Sequence, residues 1–241
     1  MSAMTGTGGL DALVEAALSL VPPDDAPGRA VVGIAGAPGA GKTTLAEALV
    51  EAVAERCGPA YVAHVPMDGF HLADAQLDRL GLRDRKGAPD TFDAEGYAAT
   101  LARLRSETGA PIYVPGFERD LEQPIAAALV VEPTARLVVT EGNYLLLQED
   151  RWRRARAQVD AVWFVTCDDS LRVGRLVERH VRFGKTPDGA REWVLRSDEA
   201  NAALVAASAG AADRVVVNAA DGWRLGPCRR PDPTPVSRAR S

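Results

Sequence analysis

Short apolar runs alternate with amphipathic segments along most of this chain. The apolar runs, each about the length of one buried strand, cover 29–35, 61–65, 137–140, 159–166 and 214–217. Apolar residues recur with helical spacing in 10–21, 42–56, 73–80, 94–108, 150–157, 170–183 and 190–209. Asp93 and Asp169 stand where the N-caps of two of these helices are expected. Strands alternating with helices predict βαβ units, hence an α/β fold with a mainly parallel sheet flanked by helices.

Proline and glycine divide the chain into three parts. Residues 1–28 are expected to form an N-terminal helix, ended by Pro22 and Pro23, and a linker. Residues 29–225 carry the alternating pattern and are expected to form the main domain. Residues 226–241 are rich in proline and arginine and have little to bury, so we expect a disordered tail.

Composition narrows the class of protein. The 241 residues are 46% hydrophobic and carry a formal charge of −5, which fits a globular domain and disfavours a nucleic-acid or basic membrane-surface binder. No apolar run is long enough to span a membrane, and we expect no secretory signal. The three cysteines are widely separated, which favours a reducing, cytoplasmic setting over a disulfide framework. A homodimer is compatible with the sequence, which does not fix the oligomeric state.

A phosphate-binding loop follows the first predicted strand. Residues 36–43 read GAPGAGKT and match G-x-x-x-x-G-K-[ST] in full, with a helix predicted directly after them. Its glycines let backbone N–H groups surround phosphates, while Lys42 reaches the β- and γ-phosphates and the Thr43 hydroxyl binds Mg²⁺. The sequence therefore predicts binding of ATP and Mg²⁺ by a loop made of Gly36, Ala37, Pro38, Gly39, Ala40, Gly41, Lys42, Thr43 and Thr44.

Two acidic residues follow other predicted strands. Asp68 lies just past the second strand, where a carboxylate could accept the proton of an attacking hydroxyl; the alternative is an ordinary Asp-Gly turn. Glu141 follows the run 137–140 and could hold Mg²⁺, or could be a simple turn residue. The chain has no N-K-x-D element and no LSGGQ-like signature, which argues against a GTPase and a transport ATPase.

Four motifs together resemble a known family. The phosphate loop, MDGFHL at 67–72, RKGAPDTFD at 85–93 and EGNYLL at 141–146 resemble the uridine kinase, phosphoribulokinase and type I pantothenate kinase family. The chain is most similar to the small bacterial branch labelled nucleoside/nucleotide kinase or fructose-transport-system kinase. The resemblance covers 29–218 and implies a P-loop kinase fold with a mobile lid. It also implies ATP-dependent phosphorylation of a hydroxyl on a small metabolite.

The resemblance also implies roles for individual residues. Asp68 matches the catalytic aspartate, acting with Lys42, and Glu141 matches the second acidic group near Mg²⁺. Arg85 and Lys86 match a substrate-side R-K-G segment, and the segment from Tyr113 to Arg119 loosely resembles the acceptor loop. His71, beside Asp68, could bind a sugar hydroxyl or simply pack. The residues expected at the acceptor site are Asp68, His71, Arg85, Lys86, Tyr113, Arg119 and Asn143.

The lid is expected at about 175–190. Arg175, Arg179 and Arg182 share one face of a predicted helix, and arginines there could close over the triphosphate and exclude water. Arg175 and Arg179 are accordingly expected to bind ATP; the alternative is a solvated basic face. Uridine kinases read R-x-x-R-D here, whereas this chain reads R-x-x-x-R-H.

The sequence does not determine which small molecule accepts the phosphoryl group. A nucleoside, a sugar such as fructose, and pantothenate all fit the motifs. A hypothesis from another class is a nucleotide-dependent binding or chaperone module that uses ATP hydrolysis as a switch. Substrate-stimulated ADP release over a low ATPase background would distinguish the kinase from that module.

Overall fold

The computed structural model describes residues 7–228. A six-stranded sheet forms its centre, in the order β2-β5-β1-β6-β7-β8, and a separate hairpin pairs β3 with β4. All neighbours in the large sheet are parallel except the antiparallel pair β7 and β8. The strands are β1 Ala30–Gly36, β2 Val62–Pro66, β3 Ile112–Glu118, β4 Gln123–Val131, β5 Leu137–Glu141, β6 Ala161–Thr166, β7 Arg214–Ala219 and β8 Gly222–Cys228.

Helices cover both faces of the sheet. Two short 3₁₀ turns, Met67–Phe70 and Pro89–Thr91, lie beside the carboxyl ends of the strands. A π-helical turn, Val194–Asp198, joins the last two helices. The helices are α1 Thr7–Leu18, α2 Lys42–Cys57, α3 Asp74–Leu80, α4 Ala94–Ser106, α5 Asp150–Arg156, α6 Asp169–Arg182, α7 Pro187–Trp193 and α8 Glu199–Ser208.

The core lies in two layers on either side of β1. All seven residues of β1 are buried, as expected for a central parallel strand with helices on both faces. Val31 and Ala35 face a cluster that includes residues of α4, α5 and α8. Val32 and Ile34 face a second cluster, to which α1 and α2 contribute. The α/β fold predicted from the sequence is confirmed.

The end of one predicted helix and the N-cap of another need correction. The first helix ends at Leu18 instead of residue 21, and its next residues form a turn before Pro22. The N-cap of α6 is Asp168, one residue before the predicted Asp169, because the Asp168 carboxylate accepts hydrogen bonds from the N–H groups of Ser170 and Leu171. Asp93 caps α4 as predicted, accepting from the N–H of Gly96 at 2.8 Å.

The segment 190–209, predicted as one helix, is interrupted. It divides into the end of α7, the π-helical turn and α8. A π-helical turn inserts one extra residue per turn and so rotates the side chains that follow it, a feature frequent at functional sites. The side chains of Asp198 and Asn201 consequently reach the large cavity described below.

The strands β3, β4 and β8 were not predicted. The sequence of β4, QPIAAALVV, lacks alternation between polar and apolar residues, so its pattern did not indicate a strand. β8 runs to Cys228, so the predicted tail begins as an ordered strand; residues 229–241 lie outside the described part of the chain. Within the described residues, no helix is both long and apolar enough to cross a membrane.

Candidate active site

The phosphate loop connects β1 to α2 at the carboxyl edge of the sheet. Gly39 and Gly41 have φ angles of +78° and +95°, a region that favours glycine. A Cβ at Gly39 would also lie 2.9 Å from the carbonyl oxygen of Arg172. Lys42 is buried, and its Nζ donates to the carbonyl of Ala37 at 3.1 Å. The left-handed glycines and the hydrogen bond from Lys42 to Ala37 together hold the loop in its curled conformation.

A cavity of about 700 Å³ opens in front of this loop. It extends from the loop to the hairpin β3–β4 on one side and to α6 and α7 on the other. Gly36, Ala37 and Ala40 belong to the same loop but do not line the cavity. The predicted phosphate-loop residues that line it are Pro38, Gly39, Gly41, Lys42, Thr43 and Thr44.

Thr43 and Glu141 meet at the base of the cavity. The Thr43 hydroxyl donates to Glu141 Oε1 at 3.2 Å, because β1 and β5 are neighbouring parallel strands that end at the same edge. Burial, with Asp68 nearby, raises the pKa of Glu141 to about 7. One hydroxyl and one carboxylate oxygen beside a phosphate loop fit Mg²⁺, which prefers oxygen ligands and is usually held by few protein groups together with substrate phosphates.

Asp68 lies in the 3₁₀ turn after β2 and faces the same cavity. Its carboxylate accepts a hydrogen bond from Arg119 Nη2 at 2.8 Å, an ion pair contributed by the hairpin β3–β4. Burial on its own would raise the pKa of Asp68, but His71, Arg119, Arg179 and Lys42 together outweigh it and hold the pKa below its usual value. Asp68 is thus an ionised carboxylate at neutral pH.

His71 lies directly after this turn and is held on three sides. Its Nδ1 is 2.8 Å from the backbone carbonyl oxygen of Asp68. The ring packs against Phe92 at an interplanar angle of 40°, with centroids 3.9 Å apart, and also contacts Phe117 at a centroid distance of 4.9 Å. Backbone hydrogen bonds between the segments 70–72 and 91–93 fix this arrangement.

Some of the residues predicted for the acceptor site line the cavity, and others do not. Lys86 lines the cavity and pairs with Asp74 at 2.7 Å, and Asn143 also lines it. Arg85 does not: it is half exposed and pairs with Asp90 at 2.9 Å, because the turn at 83–85 points it outward. The neighbouring Arg83 lines the cavity in its place, paired with Asp74 at 2.7 Å.

Tyr113 also lies outside the cavity lining. It is 65% exposed, because alternation along β3 buries its neighbours Ile112 and Val114 and turns Tyr113 to the other face. Arg119, just past the end of the same strand, does enter the cavity. The expectation that Tyr113 contacts the acceptor therefore gains no support from its position.

The arginines of α6 are not equivalent. Arg175 and Arg179, one helical turn apart, both line the cavity, whereas Arg182 does not. Burial lowers the pKa of Arg179, with Arg119 adding repulsion and Asp68 and Asp198 opposing it. Two of the three arginines therefore line the cavity that the phosphate loop and Asp68 also line.

Several cavity residues escaped the sequence analysis. Asn218 and Trp223, from β7 and β8, approach the phosphate loop, and Asn218 Nδ2 donates to the carbonyl of Ala40 at 3.0 Å. Trp193 lies at the far side, where Lys185 Nζ sits 4.4 Å from its ring centroid. No local motif marks these residues, because Asn218 and Trp223 reach the cavity through strand pairing and Trp193 through the packing of α7 against α6. Asp198 and Asn201 line the cavity as well.

Comparison with known proteins agrees with this geometry. Residues 31–221 match the model of the phosphoribulokinase/uridine kinase family. A protein of Schizosaccharomyces pombe named "Putative uridine kinase C227.14" is 34% identical over 183 residues, covering 73% of this chain and 78% of that protein. The "Uncharacterized protein YggC" of Escherichia coli is 34% identical over 197 residues, covering 80% of each.

Solved structures point the same way. A crystal structure described as a "putative fructose transport system kinase" from Silicibacter sp. TM1040 has a TM-score of 0.73 and 36% identity, covering 83% of this chain and 94% of that one. The structure of YFH7 from Saccharomyces cerevisiae, at 18% identity, shares the fold with a TM-score of 0.70. The family match spans most of the chain, and the phosphate loop, Asp68 and Glu141 converge on one cavity. The chain therefore belongs to the phosphoribulokinase/uridine kinase family and is a P-loop kinase, a phosphotransferase enzyme.

Proposed function

We propose that this enzyme transfers the γ-phosphoryl group of Mg-ATP to a hydroxyl of a small metabolite. One observation carries the proposal: an ionised aspartate, Asp68, faces the same cavity as the phosphate loop and the Thr43–Glu141 pair. A carboxylate there is suited to a substrate hydroxyl, since it can take the hydroxyl proton as the oxygen attacks the γ-phosphorus.

The reaction needs little covalent chemistry from the protein. The acceptor oxygen bonds to the γ-phosphorus, the bond to the β,γ-bridging oxygen breaks, and ADP leaves while Asp68 holds the proton. Lys42 sits where it would bind the β- and γ-phosphates, and Thr43 and Glu141 are the residues that would hold Mg²⁺. When bound, Mg²⁺ neutralises charge on the phosphates.

Arg119 and the arginines of α6 would supply the remaining positive charge. Arg119 keeps Asp68 oriented and ionised through their ion pair. Arg175 and Arg179 would contact the transferring phosphoryl group when the segment 175–190 closes as a lid. A closed lid excludes water, which suppresses hydrolysis of ATP in favour of transfer.

The test is a coupled ADP-release assay with Mg-ATP against nucleosides, ketoses, pentoses, ribulose 5-phosphate and pantothenate. We expect at least one acceptor to raise turnover above the basal ATPase rate. Asp68→Asn should abolish that stimulation, by a factor of about 10² or more, while ATP binding persists. The matched control is Asp78→Asn, since Asp78 is an exposed residue of α3 outside the cavity.

The rival class makes the opposite prediction in the same assay. A binding or chaperone module that uses ATP hydrolysis as a switch would hydrolyse ATP without any small acceptor. Normal stimulated turnover in Asp68→Asn would refute the assigned base. ATP hydrolysis indifferent to every acceptor would favour the switch.

A further inference from the structure

Two neighbouring strands lead to the two carboxylates of the candidate active site. β5 ends at Glu141, and Asp68 lies two residues after Pro66, the last residue of β2. The two strands are parallel, with Pro66 opposite Glu141. The distance between the carboxylates is therefore set by how β2, and the 3₁₀ turn that follows it, are held against β5.

The backbone pairing is weakened at this end of the two strands. Pro66 has no N–H, so the last residue of β2 cannot donate a backbone hydrogen bond to β5. Asp68 and Glu141 face the same cavity, and two carboxylates repel each other when both are ionised. Contacts made by side chains consequently matter more at this end of the strand pair than in its middle.

Buried hydroxyls form a hydrogen-bonded chain across the two strands. Thr140, the residue before Glu141, donates its proton to the carbonyl oxygen of Val65 at 2.6 Å, because a carbonyl oxygen only accepts. A threonine hydroxyl has a single proton, so the bond of 2.5 Å between Tyr97 and Thr140 must be donated by Tyr97. Tyr97, Thr140 and Val65 are fully buried, so both bonds lie away from water.

Tyr97 also contacts the 3₁₀ turn that carries Asp68. Tyr97 belongs to α4, and its ring packs against that of Phe70, the last residue of the turn, with centroids 4.9 Å apart. One side chain thus reaches the residue before Glu141 through its hydroxyl and the Asp68 turn through its ring.

The two segments are in close contact as well. A Cβ at Gly142, which follows Glu141, would lie 2.5 Å from the Cβ of Met67, which precedes Asp68. This contact prevents the segments from moving closer together. The hydroxyl chain and the ring of Tyr97 oppose movement in the other direction, which is the direction that repulsion between the carboxylates favours.

Tyr97 and Thr140 act from outside the cavity. Neither is among the described residues that line it, and both belong to the core beneath it. Any effect of these two residues on phosphoryl transfer must therefore pass through the residues that they hold.

We propose that Tyr97 and Thr140 are positioning residues that hold Asp68 at a fixed distance from Glu141, and hence from the phosphoryl group beside Glu141 and the phosphate loop. This inference rests on the proposed kinase function, because it assigns to both residues the alignment of the base with the transferring group.

Two substitutions remove the hydroxyls and little else. Tyr97→Phe keeps the ring on Phe70, whereas Thr140→Val keeps the branched shape of the side chain and removes both bonds. We expect acceptor-stimulated kcat to fall about tenfold in Tyr97→Phe and further in Thr140→Val, since a misplacement of about 1 Å can cost about a hundredfold. The double variant should lose no more than Thr140→Val, because that substitution already removes the bond from Tyr97.

Two further measurements separate positioning from damage to the fold. The affinity for ATP without Mg²⁺, measured by titration calorimetry, should equal that of wild type in both variants, because neither substitution touches the phosphate loop. Thr140→Ser keeps a hydroxyl on the same Cβ and should retain kcat within about threefold of wild type. If Thr140→Val does not fold, Tyr97→Phe decides the question alone.

Leu104→Ala is the matched control for stability. Leu104 lies two helical turns after Tyr97 on α4, is also fully buried and belongs to the same core cluster. The substitution leaves a cavity, so the urea midpoint should fall at least as far as in Tyr97→Phe. Its kcat in the folded protein should equal that of wild type, since the Leu104 carbonyl contacts Arg29 at the edge of the sheet opposite the phosphate loop.

Several results would overturn the inference. Wild-type kcat in both Tyr97→Phe and Thr140→Val would do so and would leave the kinase proposal intact. The same holds if Leu104→Ala loses as much kcat as Tyr97→Phe, which would indicate a general effect of stability, or if Thr140→Ser loses as much as Thr140→Val. Absence of stimulated turnover in the wild-type enzyme with every acceptor would overturn the proposed function itself, and this inference with it.

Discussion

Thr43 Oγ1 donates a hydrogen bond to Glu141 Oε1 at 3.2 Å, although the two residues are 98 positions apart in the chain. The contact joins the phosphate loop to the end of β5. The Glu141 carboxylate lies in an environment that disfavours its negative charge, since burial and Asp68 together raise its pKa to about 7. A site that disfavours its own negative charge is one that a bound cation would relieve.

Glu141→Gln should therefore separate stability from activity. Because the folded protein holds the Glu141 proton more tightly than the unfolded chain does, this carboxyl lowers stability as pH rises from 4.5 through about 7. The Gln variant lacks that penalty, so at pH 8 without Mg²⁺ it should be more stable than wild type, by about 1–3 kcal/mol. Near pH 4 the two should coincide, as measured by urea unfolding at each pH.

Activity should change in the opposite direction. We expect Glu141→Gln to lose about a hundredfold or more in Mg²⁺-dependent kcat/KM, since it removes a charged metal ligand. Glu95→Gln is the matched control, because Glu95 is an exposed residue of α4 and should alter neither property. A Gln variant that is less stable at pH 8 would contradict the assigned environment of Glu141.

Arg119→Gln should move the acid side of the pH profile. Arg119 favours the ionised forms of both Asp68 and Glu141, so its removal raises the pKa of each. The acid limb of kcat/KM should then shift to higher pH, and kcat/KM at pH 7 should fall by about tenfold to a hundredfold. The acid limb of the pH profile reflects the titration of Asp68 and Glu141 together, because their charges interact. It is measured at saturating Mg²⁺.

Arg85→Gln serves as the control for that experiment. Arg85 has a charge of the same type on the acceptor-side segment, but it pairs with Asp90 outside the cavity. The pH profile of kcat/KM for Arg85→Gln should coincide with that of the wild-type enzyme. An equal shift in both variants would indicate a general effect of net charge and would remove the specific role of Arg119.

Arg29→Met tests stability away from the active site. Arg29 is 2% exposed, and its guanidinium donates to the backbone carbonyls of Ala135, Leu104 and Glu132 at 2.9–3.0 Å. Methionine leaves these carbonyls without a donor, so we expect a loss of about 2–4 kcal/mol in the free energy of unfolding. Urea titration measures this loss.

Arg103→Met is the corresponding exposed substitution on α4 and should cost less than about 0.5 kcal/mol. The activity of folded Arg29→Met should match wild type at low temperature, since Arg29 precedes β1 at the edge of the sheet opposite the phosphate loop. If Arg29→Met lowered the free energy of unfolding by less than Arg103→Met does, water would have replaced the lost guanidinium as the donor to these carbonyls.

The sequence alone was enough for the features that depend on local chemistry. The phosphate loop was predicted in full, because a glycine-rich turn between a strand and a helix is specified by neighbouring residues. The buried strand β1 and the helix α2 were predicted to within one or two residues, since their apolar periodicity reflects burial on both faces or on one. Asp68 and Glu141 were selected by their position after strands.

Tertiary structure decided which residues share the cavity. Tyr113 and Arg119 belong to one motif-like segment, but strand alternation exposes the first and brings the second to Asp68. Arg83, and not Arg85, enters the cavity because a single turn rotates them in different directions. Asn218 reaches the phosphate loop across 178 positions of sequence. Such contacts depend on strand order and on the rotation of each turn, which are fixed by packing over the whole molecule and leave no signal in any local stretch of sequence.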